Sequence, residues 1–159
     1  MESIAKIGLV GRGQGEAYWV MGAKYTFKVN GADNGGAYMM FEAEVPPAPG
    51  PPPHLHTRED EMFYVLEGEL TVMLDGQVSK ATAGTTIILP RNIKHTFWNE
   101  SDGVARALVL ASPATIEDFF KEIGQRVLSD DDVAPPVTPE MVAHVYETAE
   151  RYGMVLDRP

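Results

Sequence analysis

The chain has 159 residues, a length that suits one domain with a buried core, and no cysteine, which excludes a disulfide, a thiolate metal site and a cysteine nucleophile. Thirteen Lys plus Arg against 23 Asp plus Glu leave a net charge of −10, which argues against nucleic acid, anionic lipid and strongly anionic substrates such as phosphates. Residues 1–6 lack the basic start and apolar core of a secretory signal, and no apolar run approaches the roughly 20 residues of a membrane span, so a soluble, cytoplasmic protein is expected.

The first feature along the chain, Gly11-Arg-Gly13-Gln-Gly15, has neither the spacing of a nucleotide fingerprint nor a helix after it, and reads as a mobile lead-in to a strand. Short β-type runs follow at 17–21, 25–29, 37–45, 61–66, 69–74, 77–81, 85–89, 95–98 and 104–111. Asn34-Gly35, Asp75-Gly76 and Asp102-Gly103 lie between runs, where hairpin turns want residues that accept positive φ. Many short antiparallel strands imply a sandwich, jelly roll or barrel. The proline-rich stretch from Val45 to Pro53 reads as a stiff rim ahead of His54. Met62-Phe-Tyr-Val-Leu66 is apolar on both faces, so its outer side is expected to be covered by another sheet, the tail helices or a second subunit.

After Pro113 the period becomes helical. Ile116, Phe119, Phe120, Ile123 and Val127 follow a possible cap at Thr115. Ser129 to Pro136 is an acidic, proline-bearing linker in which Asp130–Asp132 is solvated. A second helix is capped by Thr138, begins at Pro139, presents Met141, Val142, Val145 and Ala149, and stops at Gly153; His144 on it is read as structural. The expected organisation is an all-β domain over residues 1–112 with a helical extension over 113–159 packed on it.

The chemistry concentrates in His54-x-His56-x4-Glu61 and in His95, 34 positions after Glu61. Residues two apart on an extended segment share a side, so His54 and His56 can both face the interior. Glu61 opens the next strand inward, with Phe63 and Val65 in the same parity, and His95 shares its face with Phe97. Imidazole nitrogen and carboxylate oxygen suit first-row divalent metals, and three nitrogens plus one oxygen leave octahedral positions open for a small-molecule substrate and for water or dioxygen. An open shell signals catalysis. Spacing does not choose among nickel, cobalt, iron, manganese, copper and zinc. Phe63 and Phe97 are the expected pocket-lining residues.

These residues resemble the cupin superfamily, whose first motif is matched by His54-x-His56-x4-Glu61-x6-Gly68 and whose second is matched by Gly84-x5-Pro90-x4-His95-x3-Asn99. The glycine that opens the first motif is displaced to Gly50, and Asn92 stands where the second usually has glycine. Asparagine is the residue that best substitutes there, because it tolerates left-handed backbone. The resemblance implies a small β-barrel of the double-stranded β-helix or jelly-roll type, and a homodimer. Gly15-Glu-Ala-Tyr-Trp19, the proline-rich approach and the tail Ala149-Glu-Arg-Tyr-Gly153 are most similar to single-domain relatives of quercetin 2,3-dioxygenase. That likeness implies a metal-dependent dioxygenase in which a flavonol is held through its 3-hydroxyl oxygen, Glu61 accepts the proton, and ring opening releases carbon monoxide. Non-oxidative isomerisation, decarboxylation or hydrolysis on the same shell, or ligand binding without turnover, are the alternatives.

Overall fold

The computed structural model describes residues 8–158, so the N-terminal segment read for a secretory signal lies outside the described residues. The elements are β1 (Ala17–Val20), β2 (Ala23–Val29), β3 (Met39–Val45), β4 (His54–His56), β5 (Asp60–Glu67), β6 (Glu69–Leu74) and β7 (Gln77–Thr82). They continue with β8 (Thr86–Leu89), β9 (His95–Trp98), β10 (Ala105–Ser112), α1 (Glu117–Ile123), β11 (Gln125–Arg126), α2 (Pro139–Ala149) and β12 (Met154–Leu156). All pairings are antiparallel, in a sheet of order β11-β1-β2-β3-β10-β5-β8 and a second of order β12-β4-β9-β6-β7. This is the expected all-β, jelly-roll type of architecture with two C-terminal helices.

Alternation builds the core. In β3, β5 and β10 every second side chain is buried, placing Met39, Phe41, Phe63, Val65, Ala107 and Val109 between the sheets. The chain's aromatics concentrate at one end, where Tyr25 stacks on Phe41 with centroids 4.4 Å apart and both rings meet Phe120 of α1 at 5.3 Å. Thus α1 closes that end of the β body. The tail also extends both sheets, since β11 pairs with β1 and β12 pairs with β4.

Local expectations meet mixed outcomes. Asp75-Gly76 forms the two-residue turn between β6 and β7, with φ of 47° and 83°. Asp102-Gly103 does not: Asn99 organises that connection, its amide donating to the carbonyls of Val45 and Gly103 while its oxygen accepts from the Ser101 N–H and hydroxyl. Thr115 does not cap α1, because its hydroxyl donates to Glu59 at 2.9 Å. Val127 is not in that helix either; Gly124 ends it in an extended conformation and the Val127 N–H donates to the Ala17 carbonyl. The second helix forms as expected, with the Thr138 hydroxyl accepting from the Met141 N–H at 3.3 Å and Gly153 left-handed at φ 77°. The glycine-rich lead-in is tied down by Lys28, whose ammonium donates to the carbonyls of Gly11 and Gln14.

Met62, Tyr64 and Leu66 on the outer face of β5 remain 40%, 44% and 36% exposed, so neither the second sheet nor the tail helices cover them. No helix among the described residues is long and apolar enough to cross a membrane.

Candidate metal centre

His54 and His56 project from β4, Glu61 from β5 and His95 from β9, and the β4–β9 register sets His54 opposite His95. Two backbone devices hold this alignment. Asn92 adopts φ 65° and its N–H donates to the His56 carbonyl at 2.7 Å, turning the chain into β9. Gly50, at φ 73°, lies so close to β9 that a Cβ there would sit 1.8 Å from the Phe97 carbonyl oxygen.

The ligand-capable nitrogens of His54, His56 and His95 lie within 4.8 Å of one another, and all three residues are buried. Each Nδ1 faces an acceptor: the Pro52 carbonyl for His54 at 2.9 Å, the Ile93 carbonyl for His95 at 3.0 Å and the Glu59 carboxylate for His56 at 3.1 Å. With the proton fixed on Nδ1 by those acceptors, each Nε2 presents a lone pair. His95 Nε2 is buried and has no hydrogen-bond partner, a polar atom that a metal ion would satisfy. Glu61 Oε2 lies 3.6 Å from both His56 Nε2 and His95 Nε2. Two ligands of a tetrahedral shell with bonds of about 2.1 Å stand about 3.4 Å apart, so the donor set fits a metal ion.

Charges in this buried cluster oppose burial. Burial pushes the Glu61 carboxyl up, but the imidazoles of His56, His95 and His54 pull it further down, and the net shift is downward. Burial lowers His56, yet Glu61 and Glu59 outweigh it and raise the group overall. His54 is lowered to about 4, first by burial and then by His95 and His56. The Tyr25 phenol is raised by burial and by Glu61, so it stays neutral.

His54, His56 and Glu61 border an apolar cavity whose wall includes Phe63 and Phe97, packed edge to face with centroids 5.2 Å apart. Tyr25, Val145, Tyr146 and Met154 join them, and none was singled out for the site from sequence. Glu59, 0% exposed, was missed as well. Strand parity could find Tyr25, which shares a face with the core residue Phe27. It could not find Glu59, which lies between the bend at residues 57–58 and β5, nor the tail residues, which arrive from beyond α1 and the acidic linker.

The family described as Cupin domain matches residues 41–111. Over 89 residues the chain is 32% identical to Polyketide synthase CurC of Streptomyces cyaneus, covering 55% of this chain and 58% of that protein. Over 89 residues it is 30% identical to Quercetin 2,3-dioxygenase of Bacillus subtilis, covering 56% of this chain and 26% of that one. The chain therefore spans just over half of one curated relative and a quarter of the other. Among solved structures, the polyketide cyclase RemF from Streptomyces resistomycificus aligns with a TM-score of 0.60 at 25% identity, over 79% of this chain and 89% of that one.

Proposed function

We propose that this chain, which belongs to the cupin superfamily, is a metal-dependent oxygenase of small aromatic or enolisable substrates. One observation carries the reading: three imidazoles with their Nδ1 protons fixed converge their Nε2 atoms beside an ionised Glu61, at the edge of an apolar cavity. When bound there, a divalent transition metal supplies Lewis-acid stabilisation of a substrate oxyanion. Glu61, whose carboxyl lies below its ordinary value and is ionised near neutral pH, accepts the hydroxyl proton as the substrate docks. Phe63 and Phe97 hold the ring by apolar contact and keep water from its face. Ring cleavage by dioxygen, with a flavonol as first candidate, follows the likeness to quercetin 2,3-dioxygenase.

A second reading drops dioxygen. The likeness to the polyketide cyclase RemF over most of both chains favours ring closure or isomerisation of an enolisable substrate on the same residues. Oxygen uptake separates the two. Protein stripped of metal and reloaded in turn with nickel, cobalt, iron, manganese, copper or zinc is given quercetin and, separately, single-ring enols. Substrate-dependent uptake with at least one metal supports the oxygenase; bound metal with no uptake from any substrate overturns it in favour of the non-oxidative reading. The exposed apolar side chains of β5 and Ile88 of β8 suit the contact of a homodimer, which light scattering tests by returning twice the chain mass or only the single chain.

A further inference from the structure

The cavity over the imidazoles limits both the size and the charge of what can enter it. It measures about 110 Å³. Pockets for drug-sized ligands run to roughly 300–1,000 Å³, whereas an apolar hole of about 150 Å³ accepts a single benzene ring. The space available here is that of one ring.

Part of the wall is made by the tail of the chain: Val145 and Tyr146 of α2, and Met154 and Leu156 of β12. That wall is fastened to the same strand that carries two of the ligands. Met154 pairs with His56 and Leu156 with His54 in the β12–β4 ladder. Beyond it, the Asp157 N–H donates to the Pro53 carbonyl at 2.8 Å, and the Tyr146 hydroxyl donates to the Asp157 carbonyl at 3.1 Å. Retreat of α2 to admit a larger substrate would therefore break contacts that align β4. Charge is restricted as well. Among the described lining residues there is no lysine or arginine; Glu61 is the one carboxylate, and the remaining polar groups are imidazoles and tyrosine hydroxyls. The one counter-charge is the metal ion that the histidines would hold, so an oxyanion can be met there, but a phosphate or carboxylate against the rest of the lining would be buried without a partner.

We propose that the site takes a neutral single-ring enol or phenol, and that the wall of α2 and β12 excludes multi-ring flavonols. This inference rests on the metal-dependent reading above and narrows its substrate class to single rings, setting aside the flavonol that the likeness to quercetin 2,3-dioxygenase names first. The ring lies against Phe63 and Phe97 with its oxygen atoms turned to the histidines and Glu61.

Maltol and 3-hydroxyflavone test the limit directly, because both carry the same 3-hydroxy-4-pyranone head and the second adds a fused benzene ring and a phenyl group. Each is titrated calorimetrically into the zinc-loaded full chain, a redox-inert form. Maltol is expected to bind, and 3-hydroxyflavone to bind at least about tenfold more weakly despite its larger apolar surface, since even one methylene in an apolar pocket changes affinity by about 10–200-fold. Tyr146→Ala and, independently, Leu156→Ala open the wall and should each narrow that gap; zinc content reports whether either variant has kept its fold. Equal or tighter binding of 3-hydroxyflavone to the unaltered protein overturns the size limit and leaves the functional reading standing. Binding of neither compound to protein that retains zinc overturns the enolic substrate class, and the proposal with it.

Discussion

Glu59 illustrates how much of the site depends on residues that never reach the substrate. Its carboxylate accepts from His56 Nδ1 at 3.1 Å and from the Thr115 hydroxyl at 2.9 Å, so it orients a metal-facing ring and ties the segment before α1 to it. Glu59→Ala is expected to weaken metal binding by about 10–100-fold, read by competition with a chelator; unchanged affinity would remove the orienting role. Glu61 has a different task. Glu61→Gln keeps the shape and removes the base, so turnover should fall by about 10²–10⁴-fold with metal still partly bound, as steady-state kinetics and metal analysis can show. His54 gives the metal-free protein a signed pH dependence. Its folded pKa of about 4 lies below its ordinary 6.5, so the unfolded chain takes up the proton first. The stability it contributes is complete above pH 6.5 and is lost as the pH falls toward 4. His56, raised overall, does not add a loss in that window, because the contribution of a raised histidine is complete below its unfolded value. The melting temperature of metal-free protein should drop across that interval, and His54→Gln should flatten the drop.

At the scale of elements, the site is placed by short strands and by the turns that aim them. Gly50 is the clearest test: at φ 73° and with the Phe97 carbonyl where a Cβ would go, Gly50→Ala should cost at least about 1–3 kcal/mol in denaturant unfolding and loosen metal binding by shifting the approach to β4. A variant as stable as the parent would show that this approach is not constrained. The same elements explain what could be read from sequence. Strand parity is a strict period of two, so Glu61, Phe63 and Val65 fall on one face as the alternation in β5 requires. Helical spacing around Ile116, Phe119, Phe120 and Ile123 likewise marks α1. Thr115 misleads because a hydroxyl before a helix has other acceptors to choose from, and here the buried Glu59 takes it. β11 and β12, at two and three residues, are too short to carry a period, and they form because β1 and β4 offer unpaired edges. The cavity wall was invisible for the same reason: it is assembled by long-range pairing of the tail.

For the whole molecule, charge and cavity agree. A net charge of −10 repels anions at a distance, and a lining without lysine or arginine leaves the metal ion that the histidines would hold as the one counter-charge on arrival. Both point to a neutral, largely apolar substrate whose polar atoms are met by the histidines and Glu61. The account as a whole stands on the convergence of His54, His56 and His95, and metal content measures that convergence most directly. Protein equilibrated with excess zinc, desalted and analysed by mass spectrometry for bound metal should hold one ion per chain, while His56→Ala and His95→Ala, still folded by circular dichroism, should hold almost none. Retention of a full complement of metal by both variants would contradict the central claim.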